Sequence, residues 1–389
     1  KPERVNTMKF LHTADLHIGK KIFEYSLLED QRYILNQILE IAEKEKADAL
    51  LIAGDVYDRA IPSTEAVSLL DDFLTKLNRA KILVVMISGN HDSPERVAFA
   101  EHILEQRGLY IAGTYSEKLK TVEFQDEYGT VSVVCMPFVK PAVVGAQSSA
   151  QAVETMLKQL DDTTQKGTRR ILLTHYFVTG EQGETPELSD SETDVNVGGL
   201  DSVPAGLFHD FEYVALGHIH RPQRIGQGQV YYAGAPLKYS FGEAHNEKSV
   251  NLVELGQPGE VNVKKIPLKP MREMRCLKGR LADLIEPNVL ELSESDRENY
   301  VQATLTDTEE LIDAMGTLRS VYPNALQILL EKNQVQTQEG YECGIHAVKK
   351  STMELFSEFY EMLKGEPMDE KRYAMAEAAA KEAENGGAL

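Results

Sequence analysis

MKFLHTADLHIG (residues 8–19) sets the reading of this chain. Met8 to Thr13 is an apolar run of the length of a buried strand, and it gives way to a polar loop carrying Asp15 and His17. An Asp and a His two residues apart are weak on their own. The pattern then repeats downstream. Ala49 to Ala53 (ALLIA) runs into Gly54-Asp55 and the rest of GDVYD, and Ile82 to Ile87 runs into Gly89-Asn90-His91-Asp92. Later, RILLT at 170–174 delivers His175, and Tyr213 to Leu216 delivers Gly217-His218-Ile219-His220.

Between the first three strands lie helical spacings. Ile34, Leu35, Ile38, Leu39 and Ala42 share one face of a helix over 28–46. Pro62-Ser63 opens a second helix through Val67, Leu70, Phe73, Leu74 and Leu77, and Pro94 opens a third to about Arg107. Strand, helix, strand, helix, strand predicts right-handed parallel crossovers, in which sites form in the loops at the carboxyl ends of strands. All three early motifs fall there. From about 118 the texture changes: Thr121 to Phe124 and Thr130 to Met136 predict an antiparallel pair, followed by a helix near 150–160.

Hydrolysis of a phosphoester uses one cation to acidify the attacking water and a second to stabilise charge on the phosphate and leaving oxygen, the two held about 3.5–4 Å apart. A bridging carboxylate holds cations that close, and Asp55 is the candidate bridge. Asp15, His17 and His220 complete one set of donors; Asn90, His175 and His218 complete the other. Imidazole, carboxylate and a neutral amide suit Mn²⁺, Fe²⁺ or Zn²⁺ better than Ca²⁺. His91, next to a ligand, is the candidate acid for the leaving group. Asp92 fits a cap or supporting group better than a ligand, and Asp58 is open between a cap and a group that tunes the site. His102, His209, His245 and His346 lie outside the set and read as ordinary histidines.

Composition narrows the class. With 389 residues, 42% hydrophobic and 26% charged, the chain has room for two or three globular domains. The longest apolar run near a strand start, Ile82 to Ile87, is far short of a membrane span. No apolar signal region precedes Met8, and residues 1–7 are set aside from fold reasoning. Cys135, Cys276 and Cys343 are odd in number and far apart, which predicts neither a disulfide framework nor a thiolate metal site and suits a reducing cytosol. The net charge of −20 argues against a protein that coats nucleic acid through bulk charge. It leaves room for a nuclease whose metals and local basic groups meet the phosphate, with weak DNA binding in the absence of a partner. Lys20, Lys21, Arg59, Arg96 and Arg221 flank the motifs; contact with phosphates and ordinary surface charge explain them equally well.

The series DLH, GDVYD, GNHD, TH and GHIH resembles the calcineurin-like metallophosphoesterase superfamily. HTADLHIGK, GDVYDRAIPS, GNHDSPERV, SDSE, GHIHRPQ and YAGAPLKYSFGEA closely resemble its SbcD branch of bacterial nuclease subunits, from Met8 to about Pro270 and more loosely to the end. The resemblance implies an α/β fold: a four-layer α-β-β-α sandwich (8–270), a small α+β capping domain (271–348) and a C-terminal helical tail (349–389). It implies a Mn²⁺-dependent exonuclease and endonuclease acting on double-stranded DNA ends and hairpins, in repair and recombination. The family's ligands fall on Asp15, His17, Asp55, Asn90, His175, His218 and His220, and its catalytic histidine on His91. Asp58 departs from relatives that carry His there. The implied partners are an SbcC-like SMC-family ATPase and a second copy of the chain, in a cytoplasmic heterotetramer.

Outside the dense motifs the expectations are coarser. Residues 271–348 predict strands at 275–281, 300–305 and 325–330 with a helix at 308–319. Ser351 with Glu354 fits a capping box, followed by Leu355, Phe356, Phe359, Tyr360 and Leu363 on one apolar face suited to a partner's groove. The span 178–208, with ELSDSETD and no Lys or Arg, predicts a long acidic loop. A small-substrate phosphodiesterase or phosphatase of the same superfamily is the competing reading, and a catalytically silent adaptor is opposed by the full donor set.

Overall fold

The computed structural model describes residues 7–160, 168–180, 183–189, 202–286, 293–309 and 311–331, with 357, 360, 368, 369, 372, 373, 375 and 376. In chain order the strands are β1 Met8–Thr13, β2 Lys21–Ile22, β3 Tyr25–Ser26, β4 Ala49–Ala53, β5 Leu83–Ile87, β6 Leu109–Ala112, β7 Lys120–Asp126, β8 Gly129–Met136, β9 Arg169–His175 and β10 Phe177–Thr179. They continue as β11 Ser202–Pro204, β12 Tyr213–Gly217, β13 Gln223–Ile225, β14 Val230–Tyr232, β15 Ser249–Leu255, β16 Val261–Pro267, β17 Met274–Gly279, β18 Tyr300–Leu305 and β19 Ala325–Leu330.

Two mixed six-stranded sheets form the body, in the orders β16-β15-β1-β4-β5-β6 and β13-β14-β12-β9-β8-β7. In the first, β1, β4, β5 and β6 run parallel, and β15 and β16 add antiparallel strands. In the second, β8, β9, β12 and β14 run parallel, with β7 and β13 antiparallel at the edges. The expected antiparallel pair is β7 with β8, closed at Asp126 opposite Gly129.

Side-chain alternation explains why the strands are apolar throughout. In β4, Ala49, Leu51 and Ala53 face a core shared with the second sheet, while Leu50 and Ile52 face a helical layer. In β9, Ile171 and Leu173 face the shared core and Leu172 the opposite side. A strand buried on both faces has no polar alternation left. The helical layer on the first sheet is α1 (Leu28–Glu45) and α2 (Thr64–Arg79), and on the second it includes the helix Ser149–Leu157. The layers are therefore helix, sheet, sheet, helix. Ser63 caps α2 as expected, accepting the Ala66 N–H at 3.2 Å.

Two helical expectations are shortened. The helix from Pro94 is broken into α3 (Pro94–Val97) and α4 (Glu101–Glu105) by Ala100 at φ 60°. Val97 and Leu104 pack on the core, whereas Phe99 and Ile103, at 79% and 71% exposed, leave the face around the break unsupported. The helix expected at 308–319 covers only Ala314–Arg319, because Asp313 adopts φ 47° and its carboxylate caps the Gly316 N–H.

The smaller sheet is β17-β18-β19, with β17 and β18 parallel, and its core is Leu281, Val301, Ala303, Leu305, Leu318, Tyr322 and Ala325. It meets the sandwich through apolar and polar contacts: Met274 and Tyr300 are buried in the core beneath α1, Arg272 pairs with Glu29 at 2.7 Å and Asp30 at 2.9 Å, and the Tyr300 hydroxyl donates to Asp30 at 2.7 Å. Residues 329–389 form a second unit. Within it, Arg372 Nη1 donates to the Tyr360 hydroxyl at 2.8 Å. The capping box at Ser351 and Glu354, Cys343, His346 and the acidic stretch 190–201 lie outside the described residues. Cys135 is buried, Cys276 is exposed, and both are free. Among the described residues no helix is long and apolar enough to cross a membrane.

Candidate metal centre

Five loops converge at the carboxyl ends of β1, β4, β5, β9 and β12. The first two are zipped together: Asp15 N–H donates to the Gly54 carbonyl at 3.1 Å, His17 N–H to Asp55 at 2.9 Å and Ile18 N–H to Val56 at 2.9 Å. Asp15, His17, Asp55 and His218 have φ of 51°, 42°, 46° and 100°. Left-handed backbone at non-glycine residues costs about 1–3 kcal/mol each and persists only where the surroundings impose it. Here the zipped loops impose it on Asp15, His17 and Asp55, and His218 is held by its N–H donating to Asp15 Oδ1.

Backbone donors aim the two carboxylates. His218 N–H donates to Asp15 Oδ1 at 2.9 Å, leaving Asp15 Oδ2 buried without a hydrogen-bond partner. His91 N–H donates to Asp55 Oδ1 at 2.9 Å, and Asp55 Oδ2 lies 3.4 Å from His175 Nε2 and 3.6 Å from His17 Nε2. Asn90 Oδ1 sits 3.0 Å from both His175 Nε2 and His218 Nδ1. On the other side, His17 Nε2 and His220 Nε2 meet at 3.2 Å. All seven residues singled out as ligands come together around Asp55. Asp15, His17 and His220 also place donor atoms within 4.8 Å of one another, as do Asp15, Asp55 and His175.

These separations suit cations. With donors about 2.1 Å from a divalent ion, neighbouring donors stand roughly 3.0–3.4 Å apart in octahedral or tetrahedral shells. Two imidazole nitrogens facing each other beside a buried carboxylate oxygen without a hydrogen-bond partner turn several lone pairs on one space, which a cation satisfies better than a single shared proton. The residues fit a pair of divalent ions.

Protonation follows burial and crowding. Burial pushes Asp15 up to about 7 against the pull of His175 and His220. For Asp55 burial works in the same direction but is outweighed by His175, His17 and His91, and its carboxyl is held well below the usual range. His175, buried yet facing both carboxylates, is pushed up to about 9, whereas burial and neighbouring imidazoles push His218 down to about 3.

His91 lies beside the cluster. Its ring is 42% exposed, stands edge-on to His17 at 4.9 Å, and is tethered through Nδ1 to the Asp58 carbonyl at 3.2 Å. Asp92 is no ligand: its carboxylate accepts the N–H groups of Gly89, Val56 and Tyr57 at 2.9–3.0 Å. Asp58 pairs with Lys20 at 2.8 Å and Arg59 at 3.6 Å, with Oδ1 3.7 Å from His17 Nδ1. Arg221 pairs with Glu187, and Lys21 and Arg96 are exposed. His102, His209 and His245 are exposed, away from the cluster.

Sequence reasoning missed four supports. Gln31 Nε2 donates to the His17 carbonyl at 2.7 Å, and the Tyr239 hydroxyl donates to the Leu16 carbonyl at 2.5 Å. Glu243 Oε1 lies 3.4 Å from His220 Nδ1, and Lys248 Nζ donates to Glu243 Oε2 at 2.5 Å. Burial would raise the Glu243 carboxyl, but His220 and Lys248 hold it down to about 2. Gln31 had a readable signal, a polar residue on the apolar face of α1 beside Ile34 and Leu35.

A family model described as calcineurin-like phosphoesterase matches residues 8–222, and one described as type 5 capsule protein repressor C-terminal domain matches residues 270–363. A Staphylococcus epidermidis protein, the SbcD component of the nuclease SbcCD, is 34% identical over 329 residues, spanning 82% of this chain and 85% of its own. Among solved structures, a dimetal phosphatase from Danio rerio has a TM-score of 0.41 at 13% identity, covering 66% of this chain and 95% of that one. TT1561 of Thermus thermophilus has a TM-score of 0.41 at 14% identity, covering 67% and 99%.

Proposed function

The chain belongs to the calcineurin-like phosphoesterase family, in its SbcD branch of nuclease subunits, and from that membership we propose a Mn²⁺-dependent nuclease that hydrolyses phosphodiesters at DNA ends and hairpins. The observation that carries the chemistry is Asp55 Oδ2, standing between His175 Nε2 at 3.4 Å and His17 Nε2 at 3.6 Å. We assign Asp15, His17, Asp55 and His220 to one cation and Asp55, Asn90, His175 and His218 to the other. When bound, two divalent cations acidify the attacking water and offset charge on the phosphate.

The chain's own residues do the remainder. Asp55 holds the two donor groups at a fixed spacing, and the zipped loops keep Asp15 and His17 from turning away. The tether from His91 Nδ1 to the Asp58 carbonyl leaves Nε2 at the edge of the cluster, 4.0 Å from Asp55 Oδ2, where it can give a proton to the leaving oxygen. Burial of the cluster excludes bulk water from the donors.

The partner proposed is an SbcC-like SMC-family ATPase, bound by the tail at 349–389, with residues 8–270 as nuclease domain and 271–348 as capping domain. A bacterial cytoplasmic setting follows from that partner. Exposure of Ile61, Val67, Phe99 and Ile103 supports a homodimer through α2 and α4. The net charge of −20 supports weak DNA binding by the free chain. The deciding assay offers Mn²⁺-loaded protein a labelled duplex and bis(p-nitrophenyl) phosphate, with and without the ATPase and ATP. Turnover of the small ester with DNA left intact throughout would replace the nuclease reading with that of a small-substrate phosphodiesterase.

A further inference from the structure

The turn Phe241–Glu243 precedes β15 and carries no donor to the cluster, yet it is built against it. Glu243 is fully buried, and its two oxygens face different partners. Oε1 lies 3.4 Å from His220 Nδ1, and Oε2 accepts from Lys248 Nζ at 2.5 Å. Lys248 is itself buried, and its Nζ also donates to the backbone carbonyl of His220 at 2.9 Å. One acid–base pair therefore grips His220 at its ring and at its backbone. The turn is braced in its turn by Lys238, which donates to the Ala244 carbonyl at 2.8 Å and to Glu273 at 2.6 Å.

A neutral imidazole carries one N–H, and a buried carboxylate at one ring nitrogen fixes it there. We propose that Glu243, with Lys248 as its counter-charge, is a positioning residue that holds the His220 proton on Nδ1 and turns the Nε2 lone pair toward His17, setting the divalent-cation affinity of the Asp15–His17–His220 group. The inference deepens the two-metal reading and rests on it. A buried ion pair is a poor source of stability but a strong constraint on geometry, and here the constraint ends on a donor atom. Ser240 Oγ at 3.5 Å from Glu243 Oε1 completes the hold on the carboxylate.

Glu243→Gln gives the sharpest test. Lys248 has only donors to offer, so the amide must turn its oxygen to Lys248 and its NH₂ to His220 Nδ1. That drives the His220 proton to Nε2. In the full-length, chelator-stripped variant, ¹⁵N histidine spectra are expected to show His220 switching from the Nδ1–H to the Nε2–H tautomer. Calorimetric titration with Mn²⁺ is expected to show one site unchanged and the other weakened about 10–100-fold. A folded Glu243→Gln protein that binds both ions like the parent, or keeps the Nδ1–H tautomer, overturns the proposal. Should that variant not fold, Glu243→Gln/Lys248→Met decides, since it leaves no buried ammonium and frees the amide oxygen for His220. Nδ1–H with affinity within about tenfold of the parent then supports the proposal, and Nε2–H with parental affinity overturns it. A parent chain that binds fewer than two Mn²⁺ sinks the two-metal reading instead, and the tautomer in the stripped protein still tests Glu243.

Discussion

The Asp92 carboxylate accepts the backbone N–H of Val56, the residue next to Asp55, at 3.0 Å. It also accepts from Tyr57 and from Gly89, so the loops after β4 and β5 are fastened by one side chain. Asp92→Ala leaves three buried N–H groups unpaired, at about 1–3 kcal/mol each. Denaturant unfolding in the presence of a chelator is expected to show a loss of about 3 kcal/mol or more. A loss under about 1 kcal/mol would mean that water takes over the clamp.

The His91 ring is tied to the Asp58 carbonyl, outside the group formed by Asn90, His175 and His218. His91→Gln is therefore expected to lower the rate of DNA cleavage by roughly 10²–10⁴-fold while Mn²⁺ affinity stays unchanged. Equal loss of both would move His91 from proton donor to ligand.

Gly217 ends β12 against the first sheet, and a Cβ there would fall on the Ala53 carbonyl oxygen and press His175 Nδ1. That carbonyl accepts from His175 Nδ1 at 2.7 Å, which fixes the ring. Gly217→Ala is expected to weaken Mn²⁺ binding by tenfold or more and to lower the melting temperature. Retained binding at parental affinity would show that the sheets can part without cost to the site.

His12 is fully buried between the sheets, with Nδ1 2.9 Å from the Tyr213 hydroxyl. Burial pushes it down from 6.5 to about 3, against a backbone hydrogen bond that acts the other way. Below pH 6.5 the unfolded chain takes up a proton that the folded one refuses until about pH 3, so acid favours unfolding across that window. The contribution is about 1.4 kcal/mol per pH unit. His12→Gln, unfolded in chelator at several pH values, is expected to flatten the slope by that amount; an unaltered slope refutes the assignment.

Most of the site was legible because each donor follows a strand buried on both faces. Such strands stand out as unbroken apolar runs, and the loops at their ends then become conspicuous for Asp, His and Asn. Asp55 became the candidate bridge by the same logic. Glu243 and Lys248 left no such mark: they lie in a turn where acids and bases are ordinary, and only the tertiary fold removes both from water. The break at Ala100 was hidden for a related reason. Phe99 and Ile103 have the spacing of a helix face, but a periodicity does not say whether anything packs on it.

The donors are divided by sheet. Asp15, His17, Asp55 and Asn90 leave the ends of β1, β4 and β5, while His175, His218 and His220 leave β9 and β12 of the other sheet. Every cation assigned here would have ligands on both sides of the seam, so the pair would act as a rivet between two halves whose shared core is largely apolar. Catalytic competence and closure of the sandwich would thereby become one property: whatever pries the sheets apart would also part the donors.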